Sequence, residues 1–265
     1  MLLENKSAVI YGAAGAIGSA VARAFAREGA QVFLTGRTRP KLDAVARDIC
    51  AQGGMAATAT IDALDEDAVE RHSELVVAQA GGIDISFNAI GVMHVQGIPL
   101  AELSLEDFRY PLTTYATTQF LTARAAARHM WRQRSGVILT LSATASRLSG
   151  PGAMGFGVAC AAVEALSRHL AGELGPRGIR VVCLRSDAIP EAITNGSHSR
   201  DVFRLHAENA GVWPEELLAQ LERGTLLRRL PTLAEVANVA VFMASDHAGA
   251  MTGTVANLSC GSLID

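Results

Sequence analysis

The stretch Ser7-Ala-Val-Ile-Tyr11-Gly-Ala-Ala-Gly-Ala-Ile-Gly18 decides the fold. Ser7–Tyr11 reads as a buried strand, Gly12–Gly18 as a glycine turn, and Ala16–Glu28 as a helix with small residues on one face. A strand that empties through a glycine turn into a helix can hold a phosphate. The missing side chains let the backbone approach a pyrophosphate, and the helix N-terminus supplies N–H donors and the positive end of its dipole. The spacing alone also suits any tight strand-to-helix turn, so the rest of the chain has to decide.

Outward from that stretch, short β-branched runs alternate with alanine-rich helical segments. Strands are expected over Gln31–Thr35, Ala56–Ile61, Ile83–Asn88, Gly136–Leu141, Ile179–Leu184 and Thr254–Leu258. Helices are expected over Pro40–Ala51, Asp65–Gln79, Phe108–Arg134 and Phe156–Leu174. Repeated strand–helix–strand units imply an α/β fold: one doubly wound parallel sheet of about seven strands, helices on both faces, spanning 1–265 as a single Rossmann-type domain. Only Ile189–Leu233 breaks the rhythm. It is polar, carries helical character at Val202–Asn209 and Pro214–Arg223, and follows a strand end, so it reads as a substrate-side lid over 189–233.

Composition narrows the partners. The 265 residues carry 23 Lys+Arg against 26 Asp+Glu, a net charge of −3, with 49% hydrophobic residues. Slight acidity without a block of like charge argues against nucleic acid or an anionic membrane as the main partner. No apolar run approaches the ~18 residues of a membrane span, and no signal peptide is evident. Cys50, Cys160, Cys183 and Cys260 are too scattered for a zinc knuckle and read as free thiols. A soluble cytoplasmic chain that binds a small molecule is the expectation, with no metal site.

The end of the second strand bears on the choice of nucleotide. An acid there would grip a ribose 2′-hydroxyl; Gly36 followed by Arg37 instead leaves room for a 2′-phosphate and supplies a cation. Arg39 and Lys41 add to the positive field, although a solvated helix start would look similar. NADP(H) is favoured over NAD(H).

Taken together, these segments resemble the short-chain dehydrogenase/reductase family over essentially the whole chain. Tyr11–Gly18 resembles its TGxxxGxG turn, with the middle glycine moved to Gly15. Asp62 matches the acid that holds the adenine amino group. Asp84–Gly91 resembles the DxLVNNAG strand with Asn88 and Gly91 kept, Gly178–Val181 the GIRVN strand, and Ala250–Gly261 the ITGxxxxVDGG ending. The resemblance implies a cofactor set of Gly12, Gly15, Ile17, Gly18, Gly36, Arg37, Asp62, Asn88 and Gly91, and a homodimer or homotetramer paired through the long helices.

The same resemblance exposes departures at the catalytic positions. The family uses an Asn–Ser–Tyr–Lys tetrad in which tyrosine gives a proton to the carbonyl and lysine lowers its pKa. Those positions fall here on Tyr115, Ala143, Phe156 and Cys160. No shift of register restores the dyad, because the lysines are Lys6 and Lys41 and the tyrosines Tyr11, Tyr110 and Tyr115. Ser186-Asp187 stands where the family has Pro-Gly, and Glu191 where a threonine binds cofactor.

Four residues are candidate replacements. Tyr115 can act as a relocated acid or pack in a helix interface. Ser142, beside the missing serine, can face the pocket or bond within the fold. Asp187 with Arg185 can bind a polar group, or the two can pair at the surface. His94 has a suitable intrinsic pKa for proton transfer, or is simply an exposed loop residue. His198 and His206 lie in the lid. Three readings follow: an NADP(H)-dependent oxidoreductase with a non-standard proton donor, a non-catalytic NADP(H)-binding regulatory or partner-binding protein, and a non-redox lyase or dehydratase with Tyr115 or His94 as acid/base.

Overall fold

The computed structural model describes residues 1–194 and 197–264. Seven strands form one sheet: β1 (Ser7–Tyr11), β2 (Gln31–Gly36), β3 (Met55–Thr60), β4 (Ile85–Asn88), β5 (Gly136–Ala143), β6 (Ile179–Ser186) and β7 (Thr254–Leu258). Every pairing is parallel and the order is β3-β2-β1-β4-β5-β6-β7. The doubly wound α/β sheet expected from the alternation of segments is therefore present.

Strand alternation feeds two cores. Ala8, Ile10, Val32, Leu34, Ile85 and Phe87 point to one face, where they meet α1 (Ala16–Arg27), α2 (Arg39–Ala51) and α9 (Leu233–Ala244). Val9, Tyr11, Phe33 and Ile138 point to the other, against α3 (Glu66–Ala80), α4 (Leu105–Gln133) and α5 (Met154–Leu174). Each fully buried side chain of this kind contributes about 1.5–3 kcal/mol, so alternation fixes the register as well as the stability.

Helix ends follow local chemistry. Asp65 accepts from the Ala68 N–H at 3.0 Å and starts α3. Ser104 accepts from the Asp107 N–H at 3.0 Å, which starts α4 three residues before the Phe108 expected. Both β5 and β6 run two residues beyond their expected ends. α9 fills a stretch to which the sequence reading assigned no element; Thr232 and Glu235 form a capping box at its start. The excursion over 189–233 carries α6 (Pro190–Thr194), α7 (His198–Ala210) and α8 (Pro214–Gly224), and its residues 195–196 lie outside the described residues.

After β1 the chain winds outward through β2 and β3, then returns to place β4 on the other side of β1. Helices on opposite faces diverge there, which opens a crevice beyond the carboxyl ends of β1 and β4.

Candidate functional site

A cleft of about 1310 Å³ occupies that crevice and extends from α1 and the β2 end to α7 and α8. At its first end, Gly12 has φ +74°, and a Cβ there would lie 2.8 Å from the Ala89 carbonyl oxygen at the end of β4. Gly18 packs on the turn rather than the cleft, where a Cβ would collide with the Gly12 carbonyl. Gly15 and Ile17 line the cleft. Gly15 is the N-cap of α1 and offers no side-chain cap, and the first turn holds no acid. Its N–H groups and dipole are thus free to face an anion.

Gly36 also lines the cleft, and a Cβ there would meet nothing nearer than Leu42 at 3.5 Å. Beside it, Arg37 and Lys41 are exposed and form no ion pair among the described residues. Arg39 does not join them: its Nε donates to both carboxylate oxygens of Asp43, at 2.8 and 2.9 Å. Asp62 lines the cleft while its Oδ1 accepts from the Leu64 N–H. Asn88 is buried and works inside the fold, donating to Thr122 Oγ1 and accepting from the Ile90 N–H, both at 3.0 Å. That fixes the chain as it leaves β4 and carries Gly91 to the wall. The imidazole of His198 packs on Gly91, where a Cβ would collide with it.

Tyr115, Ser142, Ala143, Phe156, Cys160, Asp187 and His94 all line the same cleft further along. Ala143 ends β5, Phe156 lies in the first turn of α5, and Cys160 follows one turn later on the same side. The Tyr115 hydroxyl accepts from the Val92 N–H at 3.3 Å, and burial pushes its phenol pKa up from 10. The Cys160 thiol is pushed up to about 12 by burial, so it is neutral.

Two of the surface alternatives fail. His94 is only 6% exposed: its ring stacks on Phe156 at 4.2 Å and 13°, so the loop residue is drawn in by a side chain from α5. Its Nδ1–H donates to the Val92 carbonyl and its Nε2 accepts from the Gln96 amide, each at 2.8 Å, which fixes the tautomer. Burial pushes its pKa down to about 4. Arg185 is not an exposed partner of Asp187 either. It is 2% exposed and grips Glu164 with Nε to Oε1 at 2.8 Å and a second N–H to Oε2 at 2.9 Å. Asp187 instead accepts from Ser262 and, at 2.7 Å, from the Ala188 N–H.

The sequence reading did not single out Glu164. Its Oε1 also accepts from Ser142 at 3.0 Å and Ser146 at 2.5 Å, so Ser142 bonds within the fold although it borders the cleft. Burial would raise the Glu164 carboxyl, but Arg185 and the two hydroxyls outweigh that and hold it below the usual carboxylate range. The network ties the ends of β5 and β6 to the middle of α5 behind the cleft wall. One signal was available: Glu164 lies four residues after Cys160 on the same face of α5, and it is the only charged residue between Met154 and Leu166. Among the described residues, no three His, Cys, Asp or Glu side chains assemble as metal ligands. No helix there is long and apolar enough to cross a membrane.

Comparison with known proteins places this geometry. A family model described as enoyl-(acyl carrier protein) reductase matches residues 12–262. Tropinone reductase-like 2 of Erythroxylum coca is 31% identical over 95% of this chain and 88% of that protein. Gluconate 5-dehydrogenase of Gluconobacter oxydans (strain 621H) is 29% identical over 96% and 93%. The crystal structure of NAD+-bound xylitol dehydrogenase superposes with a TM-score of 0.89 at 25% identity, covering 98% of this chain and all of that one. A short-chain type dehydrogenase/reductase from Mycobacterium marinum gives 0.84 at 28%, covering 99% and 97%. With the parallel sheet, the glycine turn and the crevice at its switch point in place, these matches make the chain a member of the short-chain dehydrogenase/reductase family.

Proposed function

We propose that the chain is an NADP(H)-dependent oxidoreductase that interconverts a carbonyl and an alcohol, with Tyr115 as the proton donor in place of the family's tyrosine. One observation carries the reading: a single cleft connects the uncapped glycine turn and the Gly36–Arg37 step to the Tyr115 hydroxyl. The residues present fit a dinucleotide. The α1 N-terminus and Gly15 would hold the pyrophosphate, Asp62 the adenine, and Arg37 with Lys41 the 2′-phosphate. When bound, the nicotinamide supplies or takes the hydride.

The chain's own residues would do the remainder. Tyr115 accepts one hydrogen bond from Val92 and keeps its own proton to give to a carbonyl oxygen. Without a neighbouring ammonium its phenolate is poorly stabilised, so proton transfer should be slower than with a lysine-assisted tyrosine. The Glu164–Arg185 pair holds the strand ends still. A second reading, a non-catalytic NADP(H)-binding protein, draws support from Phe156 and from the neutral Cys160 thiol at the positions the resemblance makes catalytic. The lyase or dehydratase reading has less support, since both ring nitrogens of His94 are engaged.

Titration with NADPH and NADH tests the cofactor. NADPH is expected to bind about tenfold tighter or better, an advantage that Arg37→Ala removes; each decade corresponds to about 1.4 kcal/mol. Equal affinities throughout would remove the 2′-phosphate argument. Tyr115→Phe is expected to slow carbonyl reduction by about 10²–10⁴, the usual worth of a positioned acid, with cofactor affinity kept. An unchanged rate would dismiss Tyr115 as donor.

A further inference from the structure

We infer that the far end of the cleft selects an uncharged, ring-bearing substrate and rejects anions; this rests on the oxidoreductase reading and names its substrate class. Charge is distributed unevenly along the cleft. Among the described residues, every lysine and arginine lining it, Arg23, Arg27, Arg37 and Lys41, belongs to α1, to the turn after β2 or to the first turn of α2. The far end has no such cation among the described residues, and Asp187 contributes a carboxylate there. Its histidines, His94, His198 and His206, are each pushed down by burial and so are neutral at pH 7. An anionic substrate would give up its hydration shell with no counter-charge to replace it, which is the costliest kind of burial.

Shape and hydrogen bonding point the same way. His94 stacks on Phe156 at 4.2 Å, and Tyr115 lies tilted toward Phe156 at 6.2 Å and 56°. These aromatic side chains line the cleft together with Val202 and Leu221 of the helical excursion. Flat faces reward a ring over a flexible chain, because the ring stacks and loses less rotational freedom on binding. Three of the polar groups nearby are committed: His94 to Val92 and Gln96, Ser142 to Glu164, Asp187 to Ser262. The Tyr115 hydroxyl, which accepts from the Val92 N–H, still has its own proton to give to an acceptor such as a carbonyl oxygen.

The test measures binding, not turnover, on the whole protein with and without saturating NADP+. The probes are acetophenone, its carboxylate 4-acetylbenzoate, and 2-octanone, an open-chain ketone with the same number of carbons as acetophenone. Acetophenone is expected to bind at least tenfold tighter than 4-acetylbenzoate and severalfold tighter than 2-octanone. Phe156→Leu, which keeps apolar bulk and removes the ring, is expected to abolish the preference over 2-octanone and to leave the discrimination against the carboxylate. If 4-acetylbenzoate binds as well as acetophenone, or 2-octanone matches acetophenone in the wild type, the inference is overturned. Failure of NADP(H) itself to bind would show in the cofactor titration and would count against the parent reading instead.

Discussion

Replacing Arg185 with methionine should be among the most damaging single changes away from the hydrophobic core. The Glu164 carboxylate receives four hydrogen bonds, two from Arg185 and one each from Ser142 and Ser146. The side chains of Arg185 and Glu164 are 3% and 6% exposed. Arg185→Met leaves an uncompensated carboxylate in that setting, at a cost of about 3–5 kcal/mol. At about 2–4 °C per kcal/mol for a chain of this size, the melting temperature should fall by about 6–20 °C. Replacing both partners, as Arg185→Met with Glu164→Leu, should recover much of the loss, because the stranded charge goes as well. The pH dependence has a definite sign. In the wild type the carboxyl lies below its unfolded value, so its contribution is present above about pH 4.3 and fades as pH falls. In Arg185→Met only the two serine hydroxyls still oppose burial and the carboxyl rises, so the penalty should grow as pH climbs from about 4 toward neutral. Urea melts of both variants across that range would decide it. A single variant within about 1 kcal/mol of wild type, or a double variant as unstable as the single, would refute the argument, since the buried-pair figure would not apply.

Two further outcomes follow from burial. His72 and His94 are each pushed down to about 4, so both must be charged at a cost when the protein is acidified. Stability should be full above about pH 6.5 and fall toward pH 4, with each histidine accounting for about 2 kcal/mol at pH 5; His72→Gln should make the fall shallower by that amount, and an unaltered slope in thermal melts would contradict the assignment. Iodoacetamide should label exposed Cys50 first and leave Cys160 and Cys183 intact in the native state, because both thiols are buried and pushed up to about 12; rapid modification of Cys160, read by peptide mass, would mean that the cleft wall opens.

The sheet and the glycine-turn end of the cleft were legible in the sequence because each depends on short-range patterning. A strand, a glycine turn and a helix start lie within Ser7–Gly18, and Gly36 and Arg37 are neighbours. α9 was not legible: Leu233–Ala244 is apolar on nearly every side and buried on the sheet, so it has little polar face to reveal a helical period. The far end of the cleft was the hardest to read. Glu164 and Arg185 are 21 residues apart and meet only because α5 and β6 pack together. His94 reads as a loop histidine until Phe156, from another element, is laid against it. Pairing of this kind is set by topology, and a linear reading sees the members without the bond.

One contact on the cleft wall would set a toll on entry. The His198 ring rests directly on Gly91, at the base of the excursion that carries α7. Any guest that covers Gly91 must first push this ring aside, together with whatever part of α7 moves with it. The affinity measured for such a guest is then its intrinsic affinity scaled by the fraction of molecules in which the ring has already swung out. Trimming that one side chain would make the cleft more welcoming without altering Gly15, Arg37 or Lys41.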